Sequence, residues 1–152
     1  PHNISAPNIE RIQKLITEAN ERYTEAEDDP DPGTRVLIID TIGLLSSVYR
    51  YADIAVIGGG FGRGIHNILE AATWSVPILF GPNHKRFREA VDLIQEGGAM
   101  AFEDYDSFSL ILRDLLSDED KIARSGEINF SYVKDNLGAT GKISSDLLTT
   151  SG

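Results

Sequence analysis

The sequence has no cysteine and comparatively few basic residues, and both shortages narrow the range of functions. Without cysteine the 152 residues can form neither a disulfide framework nor a thiolate metal site. Fourteen Lys and Arg face 24 Asp and Glu, and the net charge of −10 disfavours nucleic acid and direct adsorption to an anionic membrane. No apolar run reaches the roughly 18 to 20 residues that cross a bilayer. We therefore expect a soluble, cytoplasmic chain.

The rest of the composition, 41% hydrophobic and 25% charged residues, is typical of a globular protein. Apolar runs with strand character occur at 36–39, 54–57, 77–80 and 99–102. Helical patterns occupy 7–27, 44–51, 66–74, 85–96, 107–117, 119–136 and 143–148. This alternation predicts an α/β fold with a doubly wound parallel sheet, in one domain over residues 1–152. Because no strand precedes the first helical pattern, we expect a fragment of a longer protein.

The most unusual stretch is GGGFGRGIHNILE at residues 58–70, with five glycines in its first seven positions. It follows a predicted strand and opens a predicted helix, where backbone N–H groups and the helix dipole can hold a phosphate without lysine. Gly58, Gly59, Gly60 and Gly64 are candidates for close approach to such a ligand. His66 and Asn67 could bind it through side chains, and Glu70 could accept hydrogen bonds from a ribose.

Alternative interpretations of this stretch remain open. Glycines at a strand end often only permit tight packing. The spacing matches neither the dinucleotide fingerprint, since no acidic residue follows about 20 positions later, nor a Walker loop. The glycine stretch alone therefore predicts a phosphate-binding turn with an unknown ligand.

Other polar segments suggest simpler roles. The basic segment 81–86 follows a strand and could neutralise a ligand's carboxylate or phosphate, or could be a solvated helix start. The three histidines are scattered, so we expect no metal site. Asp28, Asp29 and Asp31 suit a solvated turn, and Asp104 and Asp106 suit helix caps. Tyr49 and Trp74 are expected to face the core.

Several segments together resemble the C-terminal half of the 3-deoxy-D-manno-octulosonic acid (Kdo) transferases, which are GT-B glycosyltransferases with two Rossmann-like domains. The resemblance is dense over residues 35–100 and looser elsewhere. Its segments are Asp40-Thr41-Ile42-Gly43, Tyr49, Ala52-Asp53, Gly58-Gly59-Gly60, His66-Asn67 with Leu69-Glu70-Ala71-Ala72, and Gly81-Pro82 with Phe87. The sequence departs from the family pattern at Gly60, where serine is usual, at Ile65, where glycine is usual, and at Leu44, where glutamate is common.

This resemblance implies a domain that binds the donor CMP-Kdo, with no cofactor, for transfer of Kdo to a lipid A precursor in lipopolysaccharide biosynthesis. In the family this occurs at the cytoplasmic face of the inner membrane. The acceptor groove, the membrane anchor and the general base belong to the N-terminal half. We therefore expect no catalytic residue in this chain, no activity from it alone, and contact with the acceptor and the membrane only through the other half.

The resemblance also implies individual roles. Gly58 to Gly60 and Gly64 would approach the CMP phosphate, His66 and Asn67 would contact the phosphate or the sugar, and Glu70 would hold the ribose. Asp40, Thr41 and Gly43 would shape the nucleotide pocket. His2 is a weaker match to a basic position on the donor side.

Two other functions stay open. One is a non-catalytic α/β regulatory module of the receiver type, which would need acidic residues at two adjacent strand ends and a late lysine; only Asp40 fits such a place. The other is a GT-B transferase or epimerase domain for a UDP-sugar, since backbone phosphate contacts do not select the base.

Overall fold

The computed structural model describes residues 4–26, 31–62 and 64–149, with side chains as far as residue 137. His2, Asp28 and Asp29 lie outside the described residues. The helices are α1 Ala6–Leu15, α2 Leu45–Val48, α3 Leu69–Ala72, α4 Arg88–Glu96, α5 Tyr105–Leu116 and α6 Glu119–Thr149. The strands are β1 Asn20–Arg22, β2 Val36–Ile38, β3 Ala55–Val56, β4 Ile78–Phe80 and β5 Ala99–Ala101, and a 3₁₀ turn spans Tyr49–Tyr51. The α/β class is confirmed.

The chain divides into two compact units between Val48 and Tyr49. In the first unit β1 and β2 pair in parallel, with Asn20 opposite Val36. In the second unit β3, β4 and β5 form a parallel sheet in that order. Helix α3 connects β3 to β4 and helix α4 connects β4 to β5, as the predicted βαβ pattern requires. The described strands thus belong to two parallel sheets, and a single domain over residues 1–152 stays a prediction.

Helix α1 is shorter than its sequence pattern, which extended to residue 27. It ends at Leu15, and the short strand β1 follows it. The carbonyl of Ala19 accepts hydrogen bonds from the amides of Arg35 at 2.9 Å and Val36 at 3.1 Å. Pairing with a distant segment therefore replaces the helical hydrogen bonds, and periodicity in a local window cannot detect this.

The core of the second unit is built around β4. Ile78, Leu79 and Phe80 are all fully buried, as expected for a central parallel strand covered on both faces. Helix α6 packs against α3, α4 and α5. Around β4 lie the buried residues Ala55, Ile57, Ile65, Ile68, Ala71, Ala72, Val76, Ala90, Leu93 and Ala99.

A buried polar side chain on α6 fixes the amino ends of two strands. The amide nitrogen Nδ2 of Asn129 donates to the carbonyl of Val76 at 2.6 Å and to that of Gly98 at 2.8 Å. These carbonyls come just before β4 and β5. Ser125, one turn earlier, donates its hydroxyl to the carbonyl of Gly97 at 2.7 Å. Helix α6 therefore supplies side-chain donors to three backbone carbonyls at the amino ends of these strands.

The two predicted core aromatics differ in their surroundings. Tyr49 packs against the core, as predicted. The prediction for Trp74 was wrong, because its side chain is 41% exposed. Helix α3 ends at Ala72, so Trp74 lies in the turn beyond it, where the guanidinium of Arg50 lies 5.9 Å from its ring. This distance suits a cation–π contact at a surface.

The predicted helix ends are partly confirmed. Asp104 caps α5, and its carboxylate accepts the Ser107 amide at 2.8 Å in a capping box. Hydrogen bonds from Ser107 lower the pKa of Asp104. Asp106 lies within the first turn instead of at the cap. Helix α6 continues without the break predicted at 137–141, where each glycine costs only about 1 kcal/mol relative to alanine. None of the described helices is long and apolar enough to cross a membrane.

Candidate functional site

The glycine loop, which is described for residues 58–62 and Gly64, forms a tight hairpin directly after β3. The amide of Gly60 donates to the carbonyl of Gly64 at 2.7 Å, and the amide of His66 donates to that of Gly58 at 3.3 Å. Positive φ angles, which side chains with a Cβ rarely adopt, occur at Gly59 (95°), Gly60 (82°) and Gly64 (140°). The backbone conformation thus accounts for three of the five glycines.

Close packing adds a second reason for glycine here. A Cβ atom on Gly60 would lie 2.7 Å from the Cα of Gly81, and one on Gly64 would lie 2.7 Å from the ring of Phe87. The backbone amide of Asn83 donates to the carbonyl of Gly60 at 2.8 Å, and its side chain donates to the carbonyl of Gly62 at 3.2 Å. The hairpin is therefore fastened to the segment that follows β4.

Only part of the expected row of backbone donors is available to a ligand. The amides of Gly60 and His66 are occupied within the hairpin. At the exposed tip, the amides of Phe61 and Gly62 donate to no acceptor among the described residues. An anion could therefore be bound at the tip, with fewer donors than the sequence suggested.

The helix after the hairpin begins later than predicted and is short. Helix α3 contains four residues, Leu69–Ala72, because Ile65 still pairs with Gly59 across the hairpin. The side-chain oxygen of Asn67 then accepts the amide of Leu69 at 3.1 Å, which starts the helix. So short a helix carries a weak dipole. The predicted helix start at His66 was therefore wrong, and a contribution of the helix dipole to ligand binding stays a prediction.

Asn67 and Glu70 form a hydrogen-bonded pair on the exposed surface. Nδ2 of Asn67 donates to Oε1 of Glu70 at 2.9 Å. Both residues line an open cavity of about 650 Å³ with residues of α4 and α6, where the hydroxyl of Tyr132 donates to the carboxylate of Asp92 at 3.0 Å. Burial, together with this carboxylate, raises the pKa of Tyr132. Tyr132 and Asp92 were missed in the sequence because they are distant from residues 58–70 along the chain.

His66 lies against the glycine hairpin. Its Cδ2 atom is 3.3 Å from the position that a Cβ on Gly59 would occupy. His66, Asn67 and Glu70 are all exposed. The structure thus brings the imidazole next to the hairpin, while Asn67 and Glu70 line the cavity between helices.

A second opening, the basic cleft, lies at the carboxyl ends of β4 and β5. It has a volume of about 1040 Å³ and is lined by Gly62, residues 82–86, Ala101 and Glu103. Lys85 and Arg86 lie in the turn before α4, which begins only at Arg88. They are therefore not part of a helix start. Ligands of parallel α/β sheets bind at this edge.

Asp40, Thr41 and Gly43 belong to the first unit. The Asp40 side chain is 2% exposed, and its carboxylate accepts hydrogen bonds from Arg22 Nε at 2.9 Å, the Thr24 hydroxyl at 2.7 Å and the Thr24 amide at 3.1 Å. Burial raises the pKa of Asp40, but these hydrogen bonds outweigh it and lower the pKa overall. The carboxylate is thus occupied within its own unit. A role of these three residues in shaping a nucleotide pocket stays a prediction.

A metal site of the usual composition is not found within residues 4–26, 31–62 and 64–149. No group of three or more His, Asp or Glu side chains there could hold a metal ion.

The sequence is similar to several curated 3-deoxy-D-manno-octulosonic acid transferases. The protein of Bordetella pertussis is 35% identical over 85 residues, which cover 55% of this chain and 20% of the relative. The protein of Aquifex aeolicus is 31% identical over 105 residues, which cover 65% of this chain and 30% of the relative. The protein of Rickettsia prowazekii is 29% identical over 135 residues, which cover 84% of this chain and 29% of the relative. The matches thus span less than a third of these relatives' length. No protein-family model matches the chain.

A solved structure shares the fold. It is the C-terminal CMP-Kdo binding domain of WaaA from Acinetobacter baumannii, with a TM-score of 0.66 and 23% identity over 80% of this chain and 66% of that one. The sequence matches come from one group of enzymes, and the shared fold agrees with them. The chain is therefore similar in sequence to part of the 3-deoxy-D-manno-octulosonic acid transferases, and it shares the fold of the C-terminal CMP-Kdo binding domain of WaaA.

Proposed function

We propose that this chain is the donor-binding part of a Kdo transferase and that it binds CMP-Kdo. The observation that carries the proposal is the position of the glycine hairpin. It follows β3, exposes two amides at its tip, and lies beside the basic segment after β4. Donors at the carboxyl edge of a parallel sheet suit the phosphate of a nucleotide. The domain of WaaA with the same fold is described as binding CMP-Kdo.

The hairpin would bind the phosphate and stabilise the negative charge that develops as CMP departs, which is an electrostatic contribution to catalysis. His66 lies beside the hairpin and could donate to the same oxyanion. Glu70 keeps its second carboxylate oxygen for a ribose hydroxyl while Oε1 accepts from Asn67. These assignments extend the roles that the family resemblance implies.

The complete reaction would be transfer of Kdo to a lipid A precursor at the inner membrane, in lipopolysaccharide biosynthesis. This chain would contribute the donor site. The general base and the acceptor site would come from the other domain of a complete transferase, and we expect no transfer by this chain alone.

Nucleotide-dependent thermal stability tests the proposal. A ligand at ten times its dissociation constant stabilises the folded state by about 1.4 kcal/mol, which corresponds to a rise in melting temperature of about 3 to 5 °C for a chain of this size. We expect CMP to produce such a rise at millimolar concentration. UMP and inorganic phosphate, as controls for the base and for the anion alone, should produce smaller rises.

The outcomes separate the alternatives. An equal or larger rise with UMP would favour a UDP-sugar enzyme. No rise with CMP, together with no heat of binding by calorimetry while the chain is folded, would contradict the proposal. A receiver-type module finds no support in the first unit, since the carboxylate of Asp40 is buried and fully hydrogen-bonded.

A further inference from the structure

We propose that the basic cleft is an anion-binding subsite, with Lys85 and Arg86 as its cations, that takes a carboxylate or a phosphate group of the donor. This inference rests on the proposed function and names the part of the donor that the cleft would bind. A sugar acid linked to a nucleoside monophosphate carries both kinds of oxyanion.

The need for side-chain cations follows from the hairpin geometry. Two of the hairpin amides are occupied internally, and α3 has only four residues. The backbone therefore supplies fewer donors and a weaker dipole than two oxyanions require. Because the whole chain carries a net charge of −10, any further neutralisation must be local.

The basic cleft provides this local positive charge. Lys85 and Arg86 line it, and Glu103 is the acidic residue among its lining residues. Lys85 is exposed and forms no ion pair with any residue that the structure describes. A guanidinium nitrogen of Arg86 lies 3.6 Å from the position of a Cβ on Gly64, so this cation lies beside the hairpin.

The segment that carries these cations is fixed in place. Both hydrogen bonds from Asn83 to the hairpin hold it next to the exposed tip amides. The next residue, His84, packs its ring against Phe80 at 5.5 Å, and its Nδ1 atom is buried without a partner among the described residues. The ring contact therefore adds to the hydrogen bonds of Asn83 in holding this segment in place.

The space also suits a ligand. At about 1040 Å³ the basic cleft is slightly larger than typical small-molecule sites, which measure about 300 to 1,000 Å³. It continues to the hairpin through Gly62. One ligand could therefore contact the tip amides and Lys85 together.

Titration calorimetry with Lys85→Ala tests the inference. The matched control is Lys134→Ala, which removes the same charge from an exposed position on α6 outside the cleft. The probes are CMP, free Kdo and cytidine, which carry a phosphate, a carboxylate and no anion. We expect Lys85→Ala to weaken binding of one or both anionic probes about three- to tenfold, because a charge-assisted hydrogen bond is lost. Cytidine binding should not change.

The probe whose binding Lys85→Ala weakens identifies the anion that the cleft takes. Weaker binding of CMP assigns the cleft to the phosphate, and weaker binding of Kdo alone assigns it to the carboxylate. Two outcomes would overturn the inference. In the first, Lys85→Ala and Lys134→Ala bind CMP and Kdo with the same affinity. In the second, the parent chain binds none of CMP, Kdo and inorganic pyrophosphate. Circular dichroism spectra of both variants should match that of the parent chain, and Lys85→Arg, which keeps the charge, should restore most of the affinity.

The two proposals fail in different ways. In one case the parent chain binds pyrophosphate, does not bind cytidine, and binds CMP no more tightly than pyrophosphate. If Lys85→Ala then weakens pyrophosphate binding, the anion subsite stands and the nucleotide function fails. If CMP binds specifically and Lys85→Ala has no effect on either anion, the proposed function stands and the subsite fails.

Discussion

Asp40 connects two parts of the first unit through one buried carboxylate. It follows β2 and accepts hydrogen bonds from Arg22 at the end of β1 and from Thr24 just beyond it. Burying a carboxylate is unfavourable unless hydrogen bonds satisfy it. Here three donors do so, which explains why its pKa is lowered in spite of burial.

The lowered pKa of Asp40 predicts acid sensitivity. A carboxyl group whose pKa is lower in the folded state stabilises the protein fully above its ordinary pKa of 3.8, and this contribution is lost as the pH falls below that value towards the folded pKa. We expect Asp40→Asn to lower the free energy of unfolding by about 1.5 to 3 kcal/mol at pH 7. The loss should be smaller at pH 3. Urea unfolding at both pH values measures it.

The control for this variant is Asp114→Asn. Asp114 pairs with Lys121 on the surface, with its side chain 62% exposed, and exposed pairs contribute about 0 to 1 kcal/mol. Equal losses of stability for Asp40→Asn and Asp114→Asn, or a loss at Asp40 that does not depend on pH, would contradict the assigned role.

At the scale of single residues, the sequence located the glycine cluster and the cap at Asp104, because glycine and Asp have strong local preferences. It could not show that Asn67 bonds to Glu70, or that Thr24 and Arg22 bond to Asp40. Those contacts depend on where turns bring side chains together, and no periodic pattern encodes them.

At the scale of elements, the glycine hairpin offers a matched pair of positions. Gly60 has a φ of 82° and backbone atoms of Gly81 within 2.8 Å of a Cβ position. Gly62, two residues later, has nothing within 4 Å of its Cβ position. The hairpin therefore has space for a side chain at position 62 but not at position 60.

We therefore expect opposite results from two alanine substitutions. Gly60→Ala should lower the free energy of unfolding by about 2 to 3 kcal/mol, through backbone strain and displacement of Gly81. Gly62→Ala should change it by less than about 0.5 kcal/mol. Thermal unfolding should show a fall of roughly 4 to 12 °C for the first variant only. Similar melting temperatures for both variants would show that the hairpin does not pack as described.

The sequence predicted the elements unequally. Strand β4 and helix α5 have strong patterns and were located within two residues at both ends. Strand β1, the end of α1 and the start of α3 were not. In these three places a hydrogen bond or bridge from elsewhere in the chain, such as that between Ile65 and Gly59, competes with a helix and replaces it.

At the scale of the whole molecule, the net charge of −10 opposes adsorption to anionic surfaces. We expect no measurable cosedimentation of the chain with vesicles of phosphatidylglycerol at roughly 0.1 M salt, where the Debye length is about 10 Å. Vesicles of phosphatidylcholine, which is zwitterionic and has no net charge, serve as the control. Stronger binding to the anionic vesicles would mean that the basic cleft, or another positive surface, outweighs the overall charge.

The contacts of Asn129 have a consequence for how the second unit can vary. They anchor the amino ends of β4 and β5 to α6, whereas the hairpin and the basic cleft lie at the carboxyl ends. Hydrogen bonds from α6 thus anchor one rim of this sheet, and the hairpin and the basic cleft lie at the opposite rim. Substitutions in the loops of that opposite rim can therefore change its surface while the contacts of Asn129 keep β4 and β5 in register.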